Sequence, residues 1–319
     1  MKLSIIGAGA VGSATAFAAA INGIARDIVI QDINKSLAVA QAMDIEHGSS
    51  FYPTASITGT DDIEAVEGSD IIVVTAGAKQ LPGQSRIELA ATSIDIIKKI
   101  IPPLVEKCPH AKFILVSNPV DVITYVAQKI SGLPETQIFG SGTWLDSSRL
   151  RSRISDWTGV NAKNVHAYIV GEHGDSEIPF WSSATIGNVP IREWVPLSKN
   201  CKPLTSDVLD QIYHDVVNAA YHVIEGKGAT NYAIALATCD IISAIAKDEN
   251  RVMPVSTLVN PKCNSGYIEG VSDVCLSLPR ILGKDGIVGA LACHFNVDEL
   301  DGLQKSATVL RDTLKQNGF

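Results

Sequence analysis

Short apolar runs and segments with helical periodicity alternate along the first part of the chain. The apolar runs are rich in Ile and Val and lie at residues 3–6, 28–31, 71–76 and 113–117. Helical patterns separate them, among them Ser13–Asn22 and Ile87–Lys107, and we expect Pro102 and Pro103 to kink or end the second of these helices. Strands that alternate with helices predict βαβ units and a parallel sheet with helices on its faces.

The pattern changes near residue 140. A helix with several Arg residues is predicted at about 146–157, strand-like stretches around 165–170 and 183–191, and helices at about 205–226, 229–247 and 298–315. The chain has 319 residues, which exceeds one typical hydrophobic core. We therefore predict an N-terminal α/β domain over residues 1–140 and a C-terminal α+β domain over residues 141–319.

Composition and charge narrow the class of protein. Hydrophobic residues make up 46% and charged residues 19% of the chain, which is typical of globular proteins. The net charge of -8 disfavours binding to nucleic acid or to an anionic membrane surface. The six Cys residues show no metal-binding or redox CxxC spacing, so we expect buried thiols and no metal site.

The N-terminus has some features of a signal peptide, because Lys2 precedes a largely apolar stretch that runs to Ala20. Glycines interrupt that stretch, whereas a strand, a turn and a helix use all of its residues. No segment has the length needed to span a bilayer. The sequence therefore favours a cytoplasmic protein.

The same stretch contains the motif Gly7-x-Gly9-x-x-Gly12, between a predicted strand and a predicted helix. Such glycines permit a tight turn and close approach of the backbone to a pyrophosphate at a helix N-terminus. Asp32 ends the next strand, where a carboxylate can bind ribose hydroxyls and would repel the extra phosphate of NADP. The alternative is a glycine-rich turn with a surface Asp, but the spacing and both strands favour a Rossmann domain that binds NAD.

Three residues of the second half can perform acid–base chemistry on an acidic substrate. Asp146 and Arg149 lie on one face of a predicted helix, and His173 lies in a Gly-rich turn. Each has an ordinary alternative, namely a surface ion pair or a turn histidine. Together they supply a proton donor, a carboxylate that orients it, and a guanidinium that can hold a substrate carboxylate, as the reduction of a 2-oxo acid requires.

From "GAGAVG" through "GAKQLPGQSR", "SNPVD", "GSGTWLDSSRLR" and "GEHGD" to "GKGAT", the whole chain resembles the lactate/malate dehydrogenase family, and within it the L-lactate enzymes. The resemblance implies that His173 is the proton donor and acceptor, Asp146 its partner, Arg149 the carboxylate anchor and Arg86 the group that polarises the substrate carbonyl. It also implies NAD as cofactor, pyruvate and lactate as substrates, and a homotetramer. Further residues implied for the substrate are Gln80, Asn118 and Thr230, and those for the cofactor are Gly7, Gly9, Val11, Gly12, Asp32, Gly77, Ala78, Ser117, Asn118 and Ser141.

The loop from about residue 79 to Arg86 is expected to act as a lid that excludes water and brings Arg86 to the substrate. Gln80 lies where the malate enzymes of the family carry Arg. A neutral side chain there fits the methyl group of pyruvate better than a second carboxylate. Malate dehydrogenase, a dehydrogenase for bulkier 2-hydroxy acids and a catalytically silent dinucleotide-binding protein are the alternatives.

Two more residues match positions with which bacterial lactate dehydrogenases bind the activator fructose 1,6-bisphosphate. Arg151 lies two residues beyond Arg149 and so points to the opposite side of the helix, and His166 precedes the catalytic turn. The resemblance therefore implies the fructose 1,6-bisphosphate-responsive type, with a solvated Arg and an ordinary strand His as the alternative. Trp144 departs from the family's usual smaller or polar residue and leaves the packing beside the substrate open.

Overall fold

The protein is described by a computed structural model covering residues 1–78, 86–197, 201–260 and 268–319, with the side chains of residues 86–88 left out. Its main feature is a nine-stranded sheet with the strand order β14-β13-β12-β6-β5-β4-β1-β2-β3. These strands are β1 (Lys2–Ile6), β2 (Asp27–Gln31), β3 (Ser56–Thr60), β4 (Ile71–Val74), β5 (Lys112–Leu115), β6 (Ile138–Gly140), β12 (Arg251–Val259), β13 (Val274–Gly283) and β14 (Gly286–Ala290).

Strands β1 to β6 are parallel and form the predicted α/β core. Ile5 pairs with Ile30 on one side and with Val73 on the other, and the apolar residues of β1, β4 and β5 are buried. Continuous Ile and Val runs suit such strands because helices cover both faces of the sheet. The four predicted strands are confirmed, while β3 and β6 were not predicted.

The hairpin of β12 and β13 extends this sheet in the antiparallel sense. The two strands pair from Arg251 with Leu282 to Val259 with Val274, and β12 joins the parallel part where Ser256 pairs with Gly140. Gly140 has no room for a side chain, since a Cβ there would lie 2.5 Å from Oγ1 of Thr124. Because β12 pairs with β6 at this point, the sheet continues across the predicted domain boundary at residue 140.

Eight α-helices lie in the described part of the chain. The predicted helix over 87–107 does not end at its two prolines, because Pro102 and Pro103 lie inside it. Ile97, Ile101 and Leu104 are buried on its inner face, and this packing offsets the lost backbone bonds. The helices are α1 (Ala10–Ile21), α2 (Lys35–Glu46), α3 (Arg86–Lys107), α4 (Val120–Ser131), α5 (Trp144–Thr158), α6 (Ser206–Lys227), α7 (Tyr232–Ala246) and α8 (Val297–Gln316).

Short strands carry the segments that surround the site. The predicted strand-like stretch at 165–170 divides into β7 (Val165–His166) and β8 (Ile169–Val170). β8 pairs with β9 (Ile178–Pro179), and the loop between them contains the predicted catalytic histidine. The stretch at 183–191 contains β10 (Thr185–Ile186) and β11 (Val189–Pro190), which complete a three-stranded sheet with β7.

The prediction of buried thiols is met by some of the described cysteines and not by others. Of the described cysteines, Cys108, Cys239 and Cys275 are free and buried as expected, whereas the free thiols of Cys201 and Cys293 are partly exposed. None of the helices in the described ranges is long and apolar enough to cross a membrane.

Candidate active site

The glycine-rich turn between β1 and α1 packs against the end of β4. Gly7 has φ +109° and its amide donates to the carbonyl of Gln31 over 2.7 Å. A Cβ at Gly12 would lie 1.9 Å from the Gly7 carbonyl oxygen, so only glycine fits there, whereas a Cβ at Gly9 would meet nothing within 4 Å. Gly9 is the N-cap of α1 and leaves the helix N-terminus open to an anionic group such as a pyrophosphate.

Asp32 lies directly after β2 and braces this turn. One carboxylate oxygen accepts a hydrogen bond of 2.7 Å from the amide of Ala8, and the other accepts one of 2.8 Å from the amide of Asn34. Val11, which follows the turn in α1, is partly buried against the core. The structure thus places a carboxylate beside the open glycine turn, as a ribose-binding group requires.

The remaining predicted cofactor residues lie at the carboxyl ends of neighbouring parallel strands. Gly77 follows β4 and packs closely on Ser117, whose hydroxyl donates to the carbonyl of Ala76 over 2.7 Å. Ala78 is partly exposed, Asn118 is exposed in the loop before α4, and Ser141 is buried after β6. These residues line the edge where ligands bind in open α/β sheets.

His173, Asp146 and Arg149 come together as predicted from the sequence. Asp146 is 2% exposed and lies in the first turn of α5, where the helix dipole favours a carboxylate. Its Oδ2 lies 2.7 Å from Nδ1 of His173, and its Oδ1 accepts a hydrogen bond of 2.6 Å from Nη1 of Arg149. One buried carboxylate therefore orients both the imidazole and the guanidinium.

The pKa values of this pair move in opposite directions. Burial alone would lower the pKa of His173, but the charge and the hydrogen bond of Asp146 outweigh it and raise the pKa to about 9. Burial opposes the charged form of Asp146 as well, yet His173 and Arg149 lower the pKa of its carboxyl. The stable state at neutral pH is an imidazolium beside a carboxylate.

Two buried acidic residues of the site were missed by the sequence analysis. Asp121, in the first turn of α4, accepts hydrogen bonds of 2.7 Å from the amide of His173 and 2.5 Å from the hydroxyl of Ser256. Burial raises the pKa of Asp121 to about 7, against the effect of these two bonds. Glu177 lies four residues beyond His173 and is also buried. Asp121 ends the motif "SNPVD" and Glu177 lies two residues beyond "GEHGD", but nothing in the sequence indicates their contacts.

A ring nitrogen of His173 and carboxylate oxygens of Asp146 and Glu177 lie within 4.8 Å of one another. Arg149 borders a cavity of about 310 Å³ between α5 and α6. The arrangement offers a proton on an imidazolium beside a guanidinium that can bind a carboxylate. It is suited to acid–base chemistry on a small acidic substrate.

Arg151 and Trp144 lie on the side of α5 that faces away from His173. The Arg151 guanidinium lies between the rings of Trp144 and Tyr168, each at 4.9 Å, and its Nε donates to the carbonyl of Ala167 over 3.0 Å. The Trp144 indole donates to Asp240 of α7 over 3.1 Å. Trp144 therefore packs against Arg151 and α7, and the structure shows the packing of this large side chain that the sequence left open.

Of the other predicted residues, His166 and Thr230 lie on separate segments, and most of the rest lie outside the described part of the chain. His166 is exposed on β7, adjacent to the Ala167 carbonyl that Arg151 contacts. Thr230 is partly buried in the connection between α6 and α7. Gln80 and most of the predicted lid lie outside the described residues, and Arg86 is described only as the first residue of α3.

Both halves of the chain match models of one family. The model described as lactate/malate dehydrogenase, NAD binding domain, matches residues 1–140, and that of the lactate/malate dehydrogenase alpha/beta C-terminal domain matches residues 143–318.

Relatives match the full length of the chain. An L-lactate dehydrogenase of Bifidobacterium animalis subsp. lactis is 52% identical, with 100% of this chain and 97% of that protein covered. L-lactate dehydrogenase 1 of Clostridium acetobutylicum is 43% identical over 98% of this chain and 97% of its own length. A crystal structure of a lactate dehydrogenase from a Medee basin deep-sea metagenome library is similar with a TM-score of 0.93 and 37% identity, covering 100% of this chain and 99% of that one.

Proposed function

Since the chain belongs to the lactate/malate dehydrogenase family, we propose that His173, Asp146 and Arg149 form its catalytic group. The protein is an NAD(H)-dependent oxidoreductase with the activity of an L-lactate dehydrogenase. The observation that carries the residue assignment is the single carboxylate of Asp146 shared between the His173 imidazole and the Arg149 guanidinium.

In the proposed mechanism, Arg149 binds the carboxylate of pyruvate and fixes the keto group near His173. The imidazolium donates its proton to the carbonyl oxygen as that oxygen gains charge, and (S)-lactate forms. In the reverse direction, His173 accepts the hydroxyl proton of lactate. Asp146 keeps the imidazole in one orientation and stabilises its charged form throughout. The nicotinamide, when bound, supplies or accepts the hydride.

The proposed NAD site fits the residues present. Gly7, Gly9 and Gly12 form the turn for the pyrophosphate, and Asp32 is the acceptor for the ribose hydroxyls. Val11, Gly77, Ala78, Ser117, Asn118 and Ser141 complete the proposed set. The open space at Gly9, next to the helix N-terminus, supports this assignment.

The choice of pyruvate over oxaloacetate is assigned to Gln80, with Arg86 polarising the substrate carbonyl from the lid and Thr230 lining the pocket. A neutral Gln80 provides no cation for a second substrate carboxylate. The test follows NADH absorbance with pyruvate and with oxaloacetate, in the wild type and in Gln80→Arg. We expect the ratio of kcat/KM values to shift toward oxaloacetate by at least tenfold, since a new charge pair in a closed site contributes about 2 kcal/mol or more. An unchanged ratio would remove Gln80 from substrate selection.

We also propose that fructose 1,6-bisphosphate activates the enzyme through Arg151 and His166 of neighbouring subunits. The stacking of Arg151 on two aromatic rings holds its charge next to the backbone carbonyl of Ala167, the residue that follows His166. Like charges of neighbouring subunits repel one another where they meet across a two-fold axis, and binding of a doubly phosphorylated ligand removes this repulsion. Pyruvate saturation curves of the wild type and Arg151→Gln, with and without the ligand at pH 6 and pH 7.5, test the proposal. A wild type that does not respond at either pH would contradict it.

A homotetramer in the cytoplasm completes the proposal. Residues 2–21 form the strand β1 and the helix α1 of the sheet core, which supports the interpretation of this segment as part of the fold. Large apolar side chains are exposed on α1 and α7, which pack against each other, and such side chains are commonly covered by neighbouring subunits.

A further inference from the structure

Glu177 is a buried carboxyl group beside the catalytic pair that the proposed mechanism does not use. The residue is 4% exposed, and its Oε1 has no hydrogen-bond partner among the described residues. Atoms of Glu177, Asp146 and His173 lie within 4.8 Å of one another. A second carboxyl group is therefore enclosed in the site next to the one that orients His173.

The backbone holds Glu177 in this position. Its amide donates to the carbonyl of Gly174 over 3.2 Å, and its own carbonyl accepts a hydrogen bond of 2.6 Å from the hydroxyl of Tyr213 on α6. The next residues form β9, which pairs with β8. The side chain thus enters the site from a fixed strand end.

Charged or titratable groups face Glu177 from three elements. Asp146 and Arg149 approach from α5, His173 and Glu172 from its own loop, and Tyr213 from α6. Burial, followed by the charge of Asp146, raises the pKa of Glu177 well above its ordinary value, although His173 and Arg149 oppose this shift. An un-ionised carboxyl group is consistent with an oxygen that no donor satisfies.

The charge of the enclosed site depends on Glu177. Arg149 and the His173 imidazolium contribute two positive charges, and Asp146 contributes one negative charge. With Glu177 un-ionised, these three groups sum to a charge of about +1, which complements the single carboxylate of a 2-oxo monoacid, whereas an ionised Glu177 within 4.8 Å of Asp146 and His173 adds a negative charge that cancels it.

We propose that Glu177 determines substrate binding through its own protonation, so that a 2-oxo monocarboxylate binds together with a proton at Glu177 once that group is ionised. This inference rests on the proposed role of Arg149 as carboxylate anchor. Its consequence is a pyruvate KM that rises about tenfold per pH unit above the pKa of Glu177 while kcat stays constant. Glu177 acts on binding, and His173 keeps its role in the proton transfer.

The experiment measures proton uptake when oxamate, the amide analogue of pyruvate, binds to the enzyme–NADH complex. Calorimetry in buffers of different ionisation enthalpy, from pH 6 to pH 9.5, gives the number of protons taken up. We expect uptake in the wild type to approach one proton at a pH below that at which His173 titrates, and to be lost in Glu177→Gln. The pyruvate KM of Glu177→Gln should stay level until His173 loses its proton near pH 9.

Matched variants separate Glu177 from its neighbours. Glu172→Gln changes a less buried carboxyl of the same loop and should keep the wild-type uptake, because Glu172 already accepts a hydrogen bond from Ser176. Equal uptake in the wild type and Glu177→Gln, no uptake in the wild type, or a loss found in Asp121→Asn instead would overturn the proposal. Arg149→Lys is the check on the anchor itself. If that variant keeps full oxamate affinity, the assignment of Arg149 fails independently of Glu177.

Discussion

As the proposed proton donor, His173 should be needed for turnover but not for binding of the cofactor. We predict that His173→Gln lowers kcat for pyruvate reduction by about 10²- to 10⁴-fold, as is typical for a lost general acid. NADH should still bind, because the glycine turn and Asp32 lie on other elements. Steady-state rates and an NADH fluorescence titration measure both effects. His110→Gln, at an exposed surface position, is the matched control, and a His173→Gln enzyme of near-normal rate would exclude the proposed role.

Asp146 sets the pH range over which His173 keeps that proton. The folded-state pKa of about 9 lies above the ordinary value of 6.5, so the pair stabilises the fold fully below pH 6.5 and loses this contribution as the pH rises through 9. Pyruvate reduction needs the imidazolium and should therefore decline above pH 9. In Asp146→Asn we predict a decline that begins at least one pH unit lower, together with a lower maximum rate.

The measurement is a pH profile of kcat for pyruvate reduction, because the proposed titration of Glu177 acts on KM and leaves kcat constant. Asp240→Asn is the control, because Asp240 pairs with Arg251 and with the Trp144 indole, away from His173. An unshifted alkaline limb in Asp146→Asn would show that another group titrates there.

Two glycines of the turn before α1 should differ in their role, since one is needed for folding and the other for the proposed binding of the cofactor. We predict that Gly12→Ala destabilises the protein, since its Cβ would lie 1.9 Å from a backbone oxygen, and that a loss of several degrees in Tm follows. Gly9→Ala should keep Tm within about one degree and weaken NADH binding instead, because its Cβ enters the open space proposed for the pyrophosphate. Thermal unfolding and NADH titration of both variants test this contrast, and equal effects of the two would contradict it.

Strands and helices were predictable where one period dominates. The Ile and Val runs of β1, β2, β4 and β5 indicated buried parallel strands, and the sequences of α5 to α8 have a clear helical period. The hairpin of β12 and β13 was not predicted, because its place in the sheet depends on pairing between residues far apart in sequence, such as Ser256 and Gly140. α3 continues through Pro102 and Pro103 because its buried face stabilises it. The rule that proline ends a helix considers the local sequence alone and does not include this packing.

The same limit applies to the site. His173, Asp146 and Arg149 could be predicted because their chemistry is visible in motifs that lie close in sequence. Asp121 and Glu177 could not, since their roles depend on burial and on contacts between elements that fold together. Arg151 shows the intermediate case, in which helix geometry indicates the direction of the side chain but not the aromatic rings that enclose it.

At the scale of the whole molecule, the exposed apolar residues of α1 and α7 predict self-association. Phe17 and Ile21 lie one turn apart on α1, and Tyr232 and Leu236 one turn apart on α7, and all four are about half exposed or more. We expect a tetramer by light scattering, and a smaller species when Phe17 and Leu236 are both changed to Glu. Val309→Glu, at an exposed apolar position on α8, should leave the mass unchanged. A monomeric wild type would contradict the proposed assembly.

The junction between β6 and β12 has a consequence for synthesis on the ribosome. When residues 1–140 have emerged, β6 is an edge strand with unpaired backbone groups, and its partner β12 begins only at Arg251. An uncovered edge of this kind is open to pairing with other nascent chains. We therefore expect the interval before the hairpin arrives to be the period of greatest exposure to aggregation, so that slowing translation between residues 140 and 283 lowers the soluble yield more than slowing it elsewhere.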